Sequence, residues 1–592
     1  MHDPREALQH RLAQRRHGVA RLERIDARFA GARLAAFAAA LAGAGWAWWG
    51  RVLSPWWALV PAAVFLALVI AHDRALRALA RARRAVAFHE EALQRLEGTP
   101  PAAGPTGALF AREDHPYAAD LDLFGERSLF HLLCTARTRP GEERLAAWLL
   151  SPAPPQDARA RQRAVADLAP RLDLREDLAV LGEEVRAGVD PDALDAWGRA
   201  PRDLGARAAA VAAASAAASV AGAAAWIAGF GPWGFLAALA AAAVVRRALQ
   251  GRIARVLGSL DRPSAELTLV SLLLERLERE PFEDRHLAAQ QDRLRNGPAP
   301  ASARIARLTR IAARVEWAKN QFFAPVAFLL QWTPLHAVAV ERWRAASGAS
   351  VGAWLDAVAE LEALSALAGW AHARPDHVFP ELLERAPDSG PLLEADALRH
   401  PLLAGAVPND VRLGGAGPAA LLVSGSNMSG KSTYLRTVGV AAVLAQAGAP
   451  VPAARCRLSP LTPGATLRIQ DSLQAGRSRF YAEITRLRLL QDLARGPVPL
   501  LFLLDEILHG TNSHDRRIGA AALLETLVSA GAIGLVTTHD LALTELAGGR
   551  LANAHFEDQV KDGRIDFDYR LRPGIVSHSN ALALMRAVGL RV

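Results

Sequence analysis

At 592 residues the chain can hold several domains, so size does not limit the core it can bury. It is 51% apolar, and its formal charge of +9 comes from 69 basic against 60 acidic residues. Only Lys319, Lys431 and Lys561 are lysines, so the arginines reflect a compositional bias and the charge points only weakly to nucleic acid or anionic lipid. Two cysteines, Cys134 and Cys456, exclude a disulfide framework, lack metal-ligand spacing and fit a reducing compartment. The first residues are rich in arginine and no small-residue cleavage site follows promptly, so no cleavable signal peptide is expected.

Residues 1–97 form the first unit. An arginine-rich stretch with leucine and valine at helical spacing leads into two nearly uncharged runs, about 34–50 and 52–71. These are about long enough to cross a bilayer as a tight hairpin, with Trp46, Trp48, Trp49, Trp56 and Trp57 clustered at its turn. Arg24, Arg28 and Arg33 precede the hairpin, and Arg74, Arg77 and Arg81 follow it, so both ends are expected in the cytoplasm. A buried helical hairpin in a soluble domain is the alternative. Residues 98–120 read as a linker, rich in Pro, Gly and Ala at its start.

Residues 121–394 read as a helical core. A second uncharged block at about 208–245 is broken by Gly229–Gly234 and flanked by Arg202, Arg207, Arg246 and Arg247. Its first arm is long enough to span and its second is short, so mismatch or a re-entrant arrangement is open, as is a soluble alanine-rich helix pair. Gln321–Val340 is apolar but interrupted by Pro325, Gln331, Pro334 and His336, and reads as a packed joint rather than a further span. After Pro375 short apolar runs alternate with turns and helices, the pattern of a parallel α/β sheet, and 395–592 is the domain that carries the chemistry.

That chemistry starts at Leu421–Thr433, LLVSGSNMSGKST. A strand, then Gly425, Ser426, Asn427, Met428, Ser429, Gly430, Lys431, Ser432 and Thr433, then a helix, is the context a phosphate-binding loop requires. The glycines let backbone N–H groups approach phosphate, Lys431 would reach the β/γ-phosphates of ATP, and the Ser432 hydroxyl would ligate Mg²⁺. Leu500–Glu506, LLFLLDE, reads as a buried strand delivering Asp505 to Mg²⁺, directly or through water, and Glu506 as general base or as the group that orients the attacking water. A further strand ends in TTHD, placing His539 to contact the γ-phosphate or the attacking water. Between them, Gly476 and Ser478 precede a helix start that could bind a phosphate.

GSNMSGKST, LLDEILHGTNSHDR, TTHD, AGRSRF and RLRPGIVSHSNALALMRAVG together resemble the ATPase domain of the MutS family of DNA mismatch-repair ATPases. Weaker likenesses cover residues 124–152, the start of that family's helical core, 357–376, its lever helix, and 398–403, the junction with the ATPase. The resemblance implies an ABC-like fold and a homodimer with composite sites. In it Ser478 reaches the γ-phosphate of the partner subunit's ATP, Asn427 lies near the γ-phosphate, Thr511 and Asn512 follow the acidic pair in a dimer-contacting loop, and Tyr569 sets its ring against adenine. The mismatch-reading domain is not evident in the N-terminal region, nor is a helix-turn-helix extension after the ATPase domain.

The expected fold is therefore an α/β C-terminal P-loop ATPase domain preceded by an all-α core and lever region with transmembrane helical hairpins. The expected function is a multi-pass hydrolase of the cytoplasmic membrane, its ATPase domain in the cytoplasm, using ATP and Mg²⁺. Its partners are a second copy, the lipid bilayer and, with mismatch specificity in doubt, DNA. A mechanochemical or scaffold ATPase at the membrane with no DNA ligand is the alternative.

Overall fold

The computed structural model describes residues 3–50, 59–102, 104–186, 191–258, 264–384, 390–468, 479–508, 511–561 and 564–575. Residues 1–102 and 103–592 form two separate units. In the first, the long helices Pro4–Gly50 and Leu59–Leu96 pair along their length. Their polar stems are joined by Arg16–Glu90 at 2.7 Å and Arg83–Glu23 at 2.8 Å. Where the stems turn apolar, the buried His72 ring lies 2.6 Å from Asp26 and 2.8 Å from Arg33. Beyond it Leu34, Leu41, Leu66 and Ile70 are exposed. The expected turn at 51–58, with Trp56 and Trp57, lies outside the described residues.

The helical part of the second unit packs around the helix Val351–Ala373, which is buried along most of its length. Alanine and leucine dominate that helix, so neighbours approach it on every side. Glu362, buried within it, accepts hydrogen bonds from the Arg137 and Thr138 amides at 3.1 and 3.3 Å, which holds the start of the helix Arg139–Leu150. The helices Ala206–Ile227 and Trp233–Gly258 are long and apolar enough to cross a membrane. Gln321–Val340, read as a joint, divides into the short helix Ala324–Leu329 and the start of Trp332–Ser347.

The α/β part begins at Glu381. One sheet holds β1 (Glu381–Leu382), β5 (Arg455–Leu458), β2 (Leu392–Leu398) and β3 (Asn409–Gly414), in that order. The other runs β10 (Arg564–Pro573), β9 (Leu551–Lys561), β4 (Ala420–Ser424), β8 (Ile533–Thr538), β7 (Leu500–Asp505), β6 (Thr462–Thr466). Its strands from β9 to β6 are parallel, and β10 adds antiparallel. The continuous apolar runs of β7 and β8 follow from burial on both faces of a parallel sheet. Gly534 in β8 is required by close approach, since a Cβ there would stand 2.1 Å from the Phe502 carbonyl oxygen.

The stretch expected as a linker to residue 120 is packed beyond residue 103. Tyr117 and Leu121 are buried in the core, and the Ala465 amide donates to the Pro116 carbonyl at 2.9 Å. Its Pro/Gly/Ala composition reflects an irregular path, while its few large side chains dock it. Cys134 and Cys456 are both buried and unbridged.

Candidate functional site

β8 lies between β4 and β7, and register pairs Ser424 with Thr538 and Thr537 with Asp505. Three C-terminal strand ends therefore meet at one edge, where open α/β sheets bind ligands. After β4 the chain enters Gly425 with φ 149°, where a Cβ would stand 2.9 Å from Ser429 Oγ and 3.0 Å from the Phe556 carbonyl oxygen. Gly430, with φ 103°, opens the helix Lys431–Ala447. The loop between them leaves the Ser426 and Ser429 hydroxyls buried without a hydrogen-bond partner among the described residues, and sets Met428 on the surface. Buried polar atoms normally find partners, so a loop that withholds them is shaped for a polar ligand.

Lys431 is buried. Its ammonium donates to the carbonyls of Gly425 at 2.8 Å and Ser426 at 2.9 Å, and stands 3.6 Å from Glu506 Oε1. Burial pulls its pKa below the ordinary lysine value, and the Glu506 and Asp505 carboxylates oppose that pull. Glu506 Oε1 is also 3.3 Å from His539 Nδ1, so one carboxylate faces a lysine and a histidine. Glu506 has φ 47°, a conformation that L residues rarely adopt and that costs about 1–3 kcal/mol. Thr537 holds it there: the Glu506 amide donates to Thr537 Oγ1 at 3.0 Å, and the same hydroxyl donates to Asp505 Oδ1.

The end of β7 and the loop and helix after β4 line a cavity of about 700 Å³, through Asn427, Lys431, Ser432, Thr433, Asp505 and Glu506. Among the described residues no three His, Cys, Asp or Glu side chains form a metal cage. Ser432 and Asp505 offer two oxygen donors on the same cavity, which fits Mg²⁺, a cation that takes one or two protein ligands and completes its shell from phosphate and water. Tyr569 also lines the cavity, against the loop, its ring carbon Cδ1 3.1 Å from where a Cβ on Gly430 would be. It sits at a register shift between β9 and β10 with φ 52°.

Ser478 and Gly476 lie outside the described residues. Asn512 caps the helix Ser513–Ser529, accepting from the Asp515 amide at 2.9 Å, and Thr511 lies in the turn before it.

Three features of the site are not announced by the sequence. The cavity's outer lip is built by Leu398, His400, Leu403, Val407 and Asn409, of which only the first three fall in the stretch read as a junction. Asn409 Nδ2 donates to the Tyr569 carbonyl at 2.9 Å and its Oδ1 accepts from the Leu571 amide at 2.7 Å, so it fixes the Tyr569 turn. Thr537 was visible only as a strand residue. Glu483, buried on the helix Arg479–Ala494, accepts from the Leu508 amide and so ties that helix to the turn after the acidic pair. The Pro408-Asn409-Asp410 run that opens β3 was the available signal for Asn409.

Residues 421–591 match the model of MutS domain V. The "DNA mismatch repair protein MutS" of Thermus thermophilus is 36% identical over 238 residues, 39% of this chain and 28% of the relative. The "Endonuclease MutS2" of Thermomicrobium roseum is 38% identical over 228 residues, 36% of this chain and 28% of the relative. A "DNA mismatch repair protein MutS" of Natronomonas pharaonis is 36% identical over 248 residues, 40% of this chain and 27% of the relative. The matched region thus spans little more than a quarter of each of these relatives.

Proposed function

We propose, for a chain that belongs to the MutS family through the ATPase domain it carries, that it hydrolyses ATP in composite sites of a homodimer and converts nucleotide state into movement of its helical part. The observation that carries this reading is the meeting of Lys431, Asp505, Glu506 and His539 at three adjacent strand ends. Gly425, Ser426, Asn427, Ser429 and Gly430 receive the phosphates, with Lys431 leaving its loop carbonyls for the β/γ-phosphates. Ser432 and Asp505 would hold Mg²⁺, which would supply charge neutralisation at those phosphates. Glu506 accepts the proton of the attacking water and His539 orients it. Tyr569 and the lip at Leu403 and Val407 receive the base. Ser478 completes the γ-phosphate site of the partner copy.

Packing supports this output path. The helix Lys431–Ala447 starts at the phosphate loop and ends at Gly448, whose Cβ would stand 2.5 Å from Arg161 Cβ. Two residues on, the Pro450 carbonyl accepts from Trp370 Nε1 at 3.0 Å, at the foot of the long buried helix. A shift of the phosphate loop therefore pushes directly on the helical part.

We further propose that the chain is held in the cytoplasmic membrane with the ATPase domain in the cytoplasm. Support comes from the two helices of span length and from the exposed apolar end of the first unit. The family likeness favours DNA as the ligand that the helical part senses. ATP turnover of the nanodisc-held chain, with duplex, mismatched and branched DNA across a salt series, tests this. Stimulation that fades as salt rises is expected, because phosphate contacts release counterions. Turnover indifferent to every DNA would reject the DNA ligand and leave a membrane ATPase with a protein or lipid output.

A further inference from the structure

The apolar hairpin has a short arm, and the segment 317–332 sits at its foot. Gly222 packs on the backbone of the second arm, where its Cβ would stand 2.9 Å from Phe235 Cα, and Trp226 stacks on Phe235 at 5.6 Å. Counting back from that contact along the two antiparallel helices sets Arg246 level with Val211. The second arm is uncharged only from Trp233 to Val245, roughly 20 Å at 1.5 Å per residue. A hydrocarbon core is about 30 Å thick. Alone, this arm would bring Arg246 and Arg247 inside the acyl region or thin the bilayer around them.

The structure places apolar mass at that level. Gln331, with φ 48°, turns the chain from the helix Ala324–Leu329 into Trp332–Ser347 and donates from Nε2 to the Ala242 carbonyl at 3.2 Å. The Arg246 guanidinium lies over the Phe328 ring at 5.8 Å. Phe323 packs edge-on to Trp332 at 5.1 Å, and Trp317 stacks on Trp332 at 6.2 Å. The other side of the segment is open: Phe322 is 93% exposed, and Trp317 and Val326 are also exposed. Arg314 and Glu316 precede it and Lys319 lies within its first turn.

The geometry points to residues 317–332 as a membrane-interface anchor. They lie in the plane of the leaflet on the ATPase side, at the headgroup–acyl boundary, and widen the apolar collar at the foot of the short arm. This rests on the membrane reading above. The occupant of the exposed face is lipid rather than protein for two reasons. The face is continuous with the apolar hairpin at the depth where that hairpin's charge begins. Its mix of tryptophan, phenylalanine and cations is the chemistry of the interfacial belt, where rings sit at headgroup level and cations meet anionic lipid. Because the same segment continues into Trp332–Ser347 and on to the helix Val351–Ala373, the anchor also fixes the outer end of the helical part against the bilayer.

The test uses the full chain in nanodiscs containing anionic lipid, with Phe322→Cys carrying an environment-sensitive dye. Val220→Cys on the first arm serves as the reference, and both positions are exposed, so neither change disturbs the core. Cys134 and Cys456 are buried, and burial pushes the Cys456 thiol up to about 12, so background labelling is low and is measured on the unsubstituted chain. The dye at 322 should lose more emission to a doxyl group near the headgroups than to one near the bilayer centre, and the dye at 220 should show the reverse order. A dye at 322 quenched by aqueous iodide and by neither lipid, while 220 responds to lipid, overturns the anchor alone. Shielding of 322 from lipid and water alike also overturns it, in favour of a second copy on that face. If 220 itself fails to respond to lipid, the membrane reading falls and the anchor with it.

Discussion

Glu506→Gln is expected to reduce ATP turnover by about 100-fold or more, the range of a lost general base, while nucleotide stays bound. The substitution keeps the side-chain shape and removes its capacity to take a proton, together with the charge facing Lys431 and His539. The amide contacts to Thr537 are made by the backbone of residue 506 and survive the change. The left-handed backbone at this position survives as well, so stability should barely move. Single-turnover phosphate release together with a nucleotide-binding titration separates the two effects. In the dimer reading, ATP should also trap this variant as a dimer in size-exclusion chromatography. Turnover within a few-fold of the parent would remove Glu506 from the proposed chemistry.

The second large effect is expected at Asp120. This carboxylate is buried, with a side chain 4% exposed, and each of its oxygens holds a different segment. Its Oδ1 accepts from the Leu467 and Arg468 amides at 2.7 and 2.8 Å, and its Oδ2 pairs with Arg486 at 2.9 Å. Arg486 in turn donates to the His115 carbonyl at 2.6 Å. Leu467 and Arg468 follow β6, and Arg486 sits on the helix Arg479–Ala494, so Asp120 joins both flanks of the 469–478 stretch to the helical part. Asp120→Ala leaves the Arg486 charge uncompensated, a change worth about 3–5 kcal/mol when one partner of a buried pair is removed. In a chain of several domains no single melting temperature reports this. Hydrogen exchange at the Leu467 and Arg468 amides should quicken strongly, and Asp120→Asn, which can still accept from both amides, should recover part of the protection. Unchanged exchange in Asp120→Ala would show that these flanks are held by other contacts.

The two effects differ in how openly the sequence announces them. The strand, loop and helix around 420–447 and the strand that ends in the acidic pair were legible because each is a local unit, and its glycine, lysine and carboxylate residues are written within a dozen positions. Their mutual placement was not written there. It depends on β8 being inserted between β4 and β7, and on the Thr537 hydroxyl reaching Asp505 from a strand more than thirty positions away. Asp120 was hidden because it stands in an irregular stretch whose proline and glycine suggested a tether, whereas its partners are separated from it by more than three hundred residues. Asn409 was hidden in the same way, since Tyr569 lies 160 positions downstream. Of the uncharged runs, the one at 208–245 was legible as two long apolar helices, Ala206–Ile227 and Trp233–Gly258. The role of 317–332 needed the contact of Gln331 with Ala242, which no periodicity reveals.

The most direct test of the central claim is ATP turnover by the purified full chain in nanodiscs, with Lys431→Ala measured beside it. Mg²⁺-dependent phosphate release by the parent chain and its loss in the variant are expected, because the buried ammonium beside Glu506 is a cation placed to meet the phosphates. No release by the parent, or equal release by both, would contradict it.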